Sequence, residues 1–149
     1  MANDSAPATD PSLWTTRRKF GVAGGPSEVV LTDEGDARAF SVGAQVRRAH
    51  GAALELLASR GEGQFSNPRP GSARHDVTDL GRFDQITWGY LREKGYAEAL
   101  APNGIRITPR GRTAAERGIE ERARLLDRCR AAASEAWARA SSIGRPSRE

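Results

Sequence analysis

The chain has 149 residues, 38% of them apolar, 28% charged and only 6% aromatic, and its net charge is +4. That length suffices for one domain with arms and for a core that folds without disulfides or metal, while the aromatic share argues against a large all-β core. The single cysteine, Cys129, excludes an internal disulfide and a cysteine-based zinc site, and no apolar run is long enough to cross a membrane.

The opening stretch MANDSAPATDPS carries two acids and no apolar core, unlike a secretory signal, so the expected location is cytoplasmic. The positive charge is uneven. Residues 101–149 hold 11 Arg against 6 Asp and Glu, whereas residues 1–40 hold 4 basic and 6 acidic side chains. The only lysines are Lys19 and Lys94. Arginine's planar fork suits phosphate and guanine, which points towards nucleic acid. A GC-rich coding sequence explains an Arg- and Ala-rich composition equally well.

Residues 1–12, small and polar with two prolines, read as a disordered arm. The runs LWTTRRKFGV and EVVLT, separated by AGGPS, then predict a β-hairpin. The alternative is an extended arm held by Trp14 and Phe20. Arg17, Arg18 and Lys19 suit either a phosphate contact or a solvated strand edge. Thr32, followed by Asp33, Glu34 and Asp36, reads as the start of a helix that breaks near Gly43 and continues to about Ser59. Its apolar stripe is Val46, Ala49, Ala53, Leu54, Leu56 and Leu57, and Gly61 ends it.

Residues 61–74, GEGQFSNPRPGSAR, read as a long loop. A helix is expected from about Arg82 to Lys94, with Phe83, Ile86, Thr87, Tyr90 and Leu91 on one side and Gly95 at its end. Gly89 inside it costs roughly 1 kcal/mol relative to Ala and suggests close approach of another backbone. YAEALAPNGIRIT predicts a second hairpin, turning at PNG because Asn and Gly tolerate positive φ. Thr108 suits an N-cap and Pro109 the first helical position. A helix then runs to about Ser141, with Ala115, Ile119, Leu126, Cys129, Ala133, Trp137 and Ala140 recurring at spacings of three, four and seven. PRGR, residues 109–112, nearly spells the core of an AT-hook, a peptide of the DNA minor groove. Its place between a β run and a capped helix favours a folded strand-to-helix junction. Residues 142–149 read as a disordered tail. One echo stands out: VVLTDEGDARA (29–39) resembles IRITPRGRTAA (105–115), each a β run, a Thr, and a Gly three residues later.

Catalytic constellations are sparse. His50 and His75 are the only histidines. His75 and Asp79 suit one helical face, but two ligands are too few for zinc, so neither a metal nor another cofactor is expected. A small nuclease drawing on Asp76, Asp79 and Asp84 has only their spacing in its favour, and an enzyme is not expected.

The order helix, helix, LREKGY, hairpin, ITPRGR, long helix resembles winged helix-turn-helix proteins, most of all the MarR- and PadR-type bacterial regulators. Leu91, Arg92, Glu93, Lys94, Gly95 and Tyr96 are similar to the end of that family's recognition helix. Ile107, Thr108, Pro109, Arg110, Gly111 and Arg112 are similar to the end of its wing. The resemblance covers residues 45–141. Beside the hairpin and helix start read over 13–40, it implies a mainly α fold with small β-hairpins (α+β): a winged helix-turn-helix over 41–112 and a long C-terminal helix over 113–141. One departure is plain. The family places a compact second helix and a tight turn before the recognition helix, where this chain offers a loop and ARHDVTDLG (73–81).

The resemblance further implies a sequence-specific double-stranded DNA-binding protein, a dimeric transcriptional regulator. Arg82, Gln85, Trp88, Arg92 and Lys94 would serve the major groove, although Trp88 reads more readily as core. Asn103 and Arg106 on the wing, with Arg110 and Arg112 at its base, would hold phosphate or probe the minor groove. The long helix would pair with its twin in a homodimer, which predicts a palindromic site, or fold back on the helix of 45–59. The alternative function is a winged-helix protein-interaction module in a larger assembly, without direct DNA binding.

Overall fold

The structure, a computed structural model, describes residues 10–18, 27–65, 77–78 and 80–143, and of residues 77, 78, 82 and 141–143 the backbone alone. Most of the expected N-terminal arm, Lys19, Phe20, most of the expected 61–74 loop, His75, Asp76, Asp79 and nearly all of the tail lie outside the described residues. The chain is α+β. Its elements are β1 (Trp14–Arg18), β2 (Ser27–Leu31), α1 (Asp33–Ala44), α2 (Arg48–Arg60), β3 (Glu62–Gln64), β4 (Val77–Thr78), β5 (Gly81–Arg82), α3 (Gln85–Glu93), β6 (Ala97–Leu100), β7 (Gly104–Ile107) and α4 (Pro109–Ile143). Contacts divide it into two compact units, residues 37–121 and residues 1–36 with 122–149. Among the described residues no helix is long and apolar enough to cross a membrane.

The 37–121 unit holds the main core. Phe40, Leu54, Leu57, Leu80, Trp88, Leu91, Ile105 and Ile107 are buried together there. Burying such a side chain contributes roughly 1.5–3 kcal/mol. The helix that begins after Thr32 breaks close to Gly43, as expected: α1 ends at Ala44 and α2 begins at Arg48. Gln45 takes a positive φ of 60°, the Ser41 hydroxyl donates to the Val46 carbonyl across the corner, and α2 starts anew. Gly43 itself is still helical, and its lack of a side chain lets the α4 backbone approach. A Cβ on it would collide with the Arg117 carbonyl oxygen and stand 2.8 Å from the Arg117 carbonyl carbon. On α2 the buried face is His50, Gly51, Ala53, Leu54 and Leu57, so Ala49 turns outward instead.

GEGQF is not loop. Its first part is β3, which pairs antiparallel with β7 (Gly63 opposite Ile105), and β7 pairs with β6, giving the sheet order β3-β7-β6. No alternating apolar pattern announces β3, because its buried position is Gly63. The turn between β6 and β7 falls at PNG, but neither Asn103 nor Gly104 has positive φ. Gly104 is required for a different reason: a Cβ there would stand 2.7 Å from the Gly63 carbonyl oxygen of β3. Before α3 the described residues show a short antiparallel pair, β4 with β5, Val77 opposite Arg82.

The internal echo is structural. At the start of α4, Thr108 N–H donates to the Tyr96 carbonyl (3.1 Å) and its hydroxyl donates to the Gly95 carbonyl (2.6 Å). Gly111 N–H donates back to the Thr108 hydroxyl (3.0 Å). At the start of α1, Thr32 N–H donates to the Leu13 carbonyl (3.0 Å) and its hydroxyl to the Ser12 carbonyl (2.5 Å), and Gly35 N–H donates to the Thr32 hydroxyl (3.1 Å). In both, the glycine packs on the same carbonyl that the threonine N–H reaches. A Cβ on Gly111 would collide with the Tyr96 oxygen, and one on Gly35 with the Leu13 oxygen. In both, a hairpin feeds the helix: Trp14 lies opposite Leu31, and Ala97 opposite Ile107. PRGR is thus a fixed junction of the fold.

The long helix divides its apolar residues. Ala114 and Ala115 join the core of the 37–121 unit, where Gly118 lies against the Phe40 ring. These first turns pack on α1 through Phe40 and Gly43 and share the core with Leu54 and Leu57 of α2. Leu125 and Cys129 are buried in the other unit, with Leu13. Burial pushes the Cys129 thiol up, against the opposing influence of Arg128. Contrary to the seam expected from spacing, Ile119 and Trp137 are exposed and Leu126 is only half-buried. The buried stripe keeps Ala115 and Cys129 of the expected set and adds Gly118 and Leu125.

Candidate nucleic-acid interface

α3 begins where Asp84 caps it. The Asp84 carboxylate accepts from the Thr87 N–H (2.9 Å) and the Thr87 hydroxyl (3.0 Å). These bonds hold Asp84 below the usual carboxylate range, helped by His50 and the Ile86 N–H and opposed by desolvation. The Thr87 oxygen in turn lies 3.2 Å from His50 Nδ1 on α2. A hydroxyl that donates to a carboxylate can only accept from the ring, so His50 carries its proton on Nδ1. The buried face of α3 is locked to α2 by this chain and by the His50–Tyr90 ring contact, centroids 4.5 Å apart.

The opposite face is open. Gln85, Ile86 and Arg92 are exposed, and Ile86 is 72% exposed although its apolar character suggested the inner side. A broad surface groove of about 630 Å³ is lined by Arg47, Ile86, Gly89, Tyr90, Arg92 and Glu93. Arg47 lies over the Tyr90 ring at 5.0 Å. Gly89 meets no neighbouring backbone. A Cβ there would touch only the Arg92 guanidinium, at 4.0 Å, so its smallness serves the groove and not helix packing. Arg47 and Tyr90 were not singled out in the sequence as site residues. A signal was present: Arg47 and Arg48 stand at the start of α2, which has no acid in its first turn, where the helix dipole disfavours cations.

The expected site residues separate. Gln85 and Arg92 lie on the exposed face of α3. Lys94 and Arg110 both lie over the Tyr96 ring, at 5.5 and 5.8 Å, and with Arg112 they form no ion pair among the described residues. Arg112 sits by Gly61, its Nη2 3.4 Å from where a Cβ would be. Arg82 is not on α3 but in β5, because Asp84 caps the helix only afterwards. Trp88 is core, 1% exposed, with Phe83 and Phe65 edge-on at 5.6 and 6.4 Å. It cannot reach a duplex without unfolding its surroundings. Its indole N–H has no hydrogen-bond partner among the described residues. Asn103 is tied to the end of β3: Phe65 N–H donates to its carbonyl (2.8 Å), and its amide donates to the Phe65 carbonyl at 3.4 Å. Arg106 is engaged by Glu98 at 2.6 and 2.9 Å and stands opposite Glu62. That strand face is therefore already neutralised, and the cationic wing expected from sequence is not cationic at Arg106.

Among the described residues no group of three or more His, Cys, Asp or Glu side chains is arranged to hold a metal ion. Comparison with protein-family models, with curated proteins and with solved structures finds no match.

Proposed function

We propose that the 37–121 unit is a winged-helix domain that binds double-stranded DNA, with α3 as the recognition helix, and that the chain acts as a homodimeric transcriptional regulator in the cytoplasm. The observation that carries this reading is the open face of α3. It presents Gln85, Ile86 and Arg92, is flanked by Arg47, and is pinned from behind by Asp84, Thr87 and His50. The order α2, β3, β4, β5, α3, β6, β7 with the sheet arranged β3-β7-β6 supports it, although the β4–β5 pair stands where the family has a second helix. A helix of this kind fits the major groove, where Gln pairs with adenine, Arg with guanine, and an apolar tip such as Ile86 meets a thymine methyl. Arg47, Lys94, Arg110 and Arg112 serve phosphate, whereas Arg106, held by Glu98, and the buried Trp88 do not contact the duplex. The long α4 contributes to pairing of two copies.

Salt dependence tests the reading. If Arg47, Lys94, Arg110 and Arg112 each meet a phosphate, affinity falls with salt at a log–log slope of about −3.6 per protomer, or about 10²-fold between 50 and 200 mM. In fluorescence anisotropy with duplex DNA, replacing Arg47 and Arg110 together by Ala flattens that slope by about 2, while Arg106→Ala leaves it unchanged. No salt-dependent binding to any duplex defeats the proposal. A protein-interaction module is the second reading, favoured by one observation: Ile86 is exposed in a groove floored by Tyr90 and edged by Glu93. Under that reading the double Arg variant leaves duplex binding absent as before, and Ile86→Asp abolishes capture of the protein partner.

A further inference from the structure

We propose that β2 is the seam of a homodimer, in which the Ser27–Leu31 strands of two copies pair antiparallel about a two-fold axis at Val29. Each two-stranded ribbon thereby becomes half of a four-stranded sheet. This goes beyond helix-mediated pairing and does not depend on DNA binding.

The two threonine junctions carry the argument. Thr108 N–H donates to the Tyr96 carbonyl, and the next residue back, Ile107, turns its N–H away from β6 and donates to Gly61 at 2.9 Å, where β3 covers the edge of β7. Thr32 N–H donates to the Leu13 carbonyl in the same way. Antiparallel ladders alternate inward and outward residues, so Val30 and Glu28 face β1, and the backbone groups of Leu31, Val29 and Ser27 face away. In β7 the equivalent edge is filled by a strand; in β2, among the described residues, no strand pairs with it. β2 also lacks what usually protects an edge. It has no Pro or Lys, and its one charge, Glu28, is held by Arg17 at 3.0 Å.

A second copy is the occupant that fits this edge. The outward residues 27, 29 and 31 are symmetric about Val29. A two-fold axis there sets Val29 opposite its twin and Ser27 opposite Leu31 of the other copy, each pair exchanging both N–H···O bonds, with Glu28 never opposite Glu28. A groove of about 700 Å³ joins Ser27, Glu28 and Val29 of β2 to Arg130, Ala133 and Trp137 of α4. Trp137, 77% exposed, supplies an apolar surface that the added strand covers.

Light scattering on the full chain without DNA tests the proposal. The expected mass is twice the 16.1 kDa of one chain, and Val29→Pro returns it to one chain mass with an unchanged circular dichroism spectrum. That proline removes an N–H that β1 does not use, so the hairpin survives. Val29→Cys in a Cys129→Ser background gives a covalent dimer on mild oxidation, because facing residues of a hydrogen-bonded pair stand about 5.5 Å apart, within disulfide reach. Val30→Cys, whose backbone faces β1, does not. A wild-type monomer, a Val29→Pro dimer, or no cross-link through residue 29 overturns the seam. Failure of duplex binding leaves these readouts untouched and bears only on the DNA reading.

Discussion

Replacing Gly111 with Ala isolates the physics of the α4 junction. Helix propensity alone favours Ala by about 1 kcal/mol. Sterics oppose it. The new Cβ would collide with the Tyr96 carbonyl oxygen and stand 2.9 Å from both the Tyr96 carbonyl carbon and Ile107 Cγ1. The oxygen cannot retreat freely, since it accepts from Thr108 N–H at 3.1 Å. Overpacking of this kind costs roughly 1–3 kcal/mol, and a weakened hydrogen bond about 1 kcal/mol more. The net expectation is a loss of about 1–3 kcal/mol, or a Tm lowered by roughly 3–10 °C for a chain of this size, read by thermal or urea unfolding. Gly35→Ala, against the Leu13 carbonyl, behaves alike. Unchanged stability in Gly111→Ala refutes the junction argument and returns residues 109–112 to the status of a loose basic peptide, in which a methyl group costs the fold nothing.

Other outcomes follow from the same geometry. Gly89→Ala, whose Cβ meets only the end of a flexible guanidinium, stabilises the fold by about 0.5–1 kcal/mol in urea titration yet weakens duplex binding if α3 lies close to DNA. Trp88→Ala empties the centre of the core and costs about 3–5 kcal/mol, whereas Trp88→Phe removes an indole N–H that has no partner among the described residues and is tolerated far better; chemical denaturation of both separates the two. Asp84 is depressed by its bonds to Thr87, so its contribution to stability is complete at neutral pH and is lost as pH falls below the usual carboxylate range. Asp84→Asn removes that part of the acid unfolding profile, and a profile identical to wild type contradicts the capping role.

Much of this molecule was legible in its sequence because local chemistry sufficed. Thr108, Pro109 and the glycine three residues after the threonine specify a helix start whatever surrounds them, and the alternation of Ile105, Arg106 and Ile107 specifies a strand. The same logic placed the first hairpin, the end of α2 at Gly61 and most of α4. Other features required partners distant in the chain. β3 has no pattern of its own, since its one buried position is Gly63, and only pairing with β7 reveals it. Ile86 and Trp88 are both apolar and two residues apart. Which one is core depends on where α2 lies against α3, and only the packed structure decides that Trp88 goes in and Ile86 out. Arg106 looked free because Glu98 and Glu62 become its neighbours only across strands. Capping, turns and periodicity act over a few residues and can be read from the chain, whereas burial and charge pairing are sums over neighbours that exist only once the chain has folded.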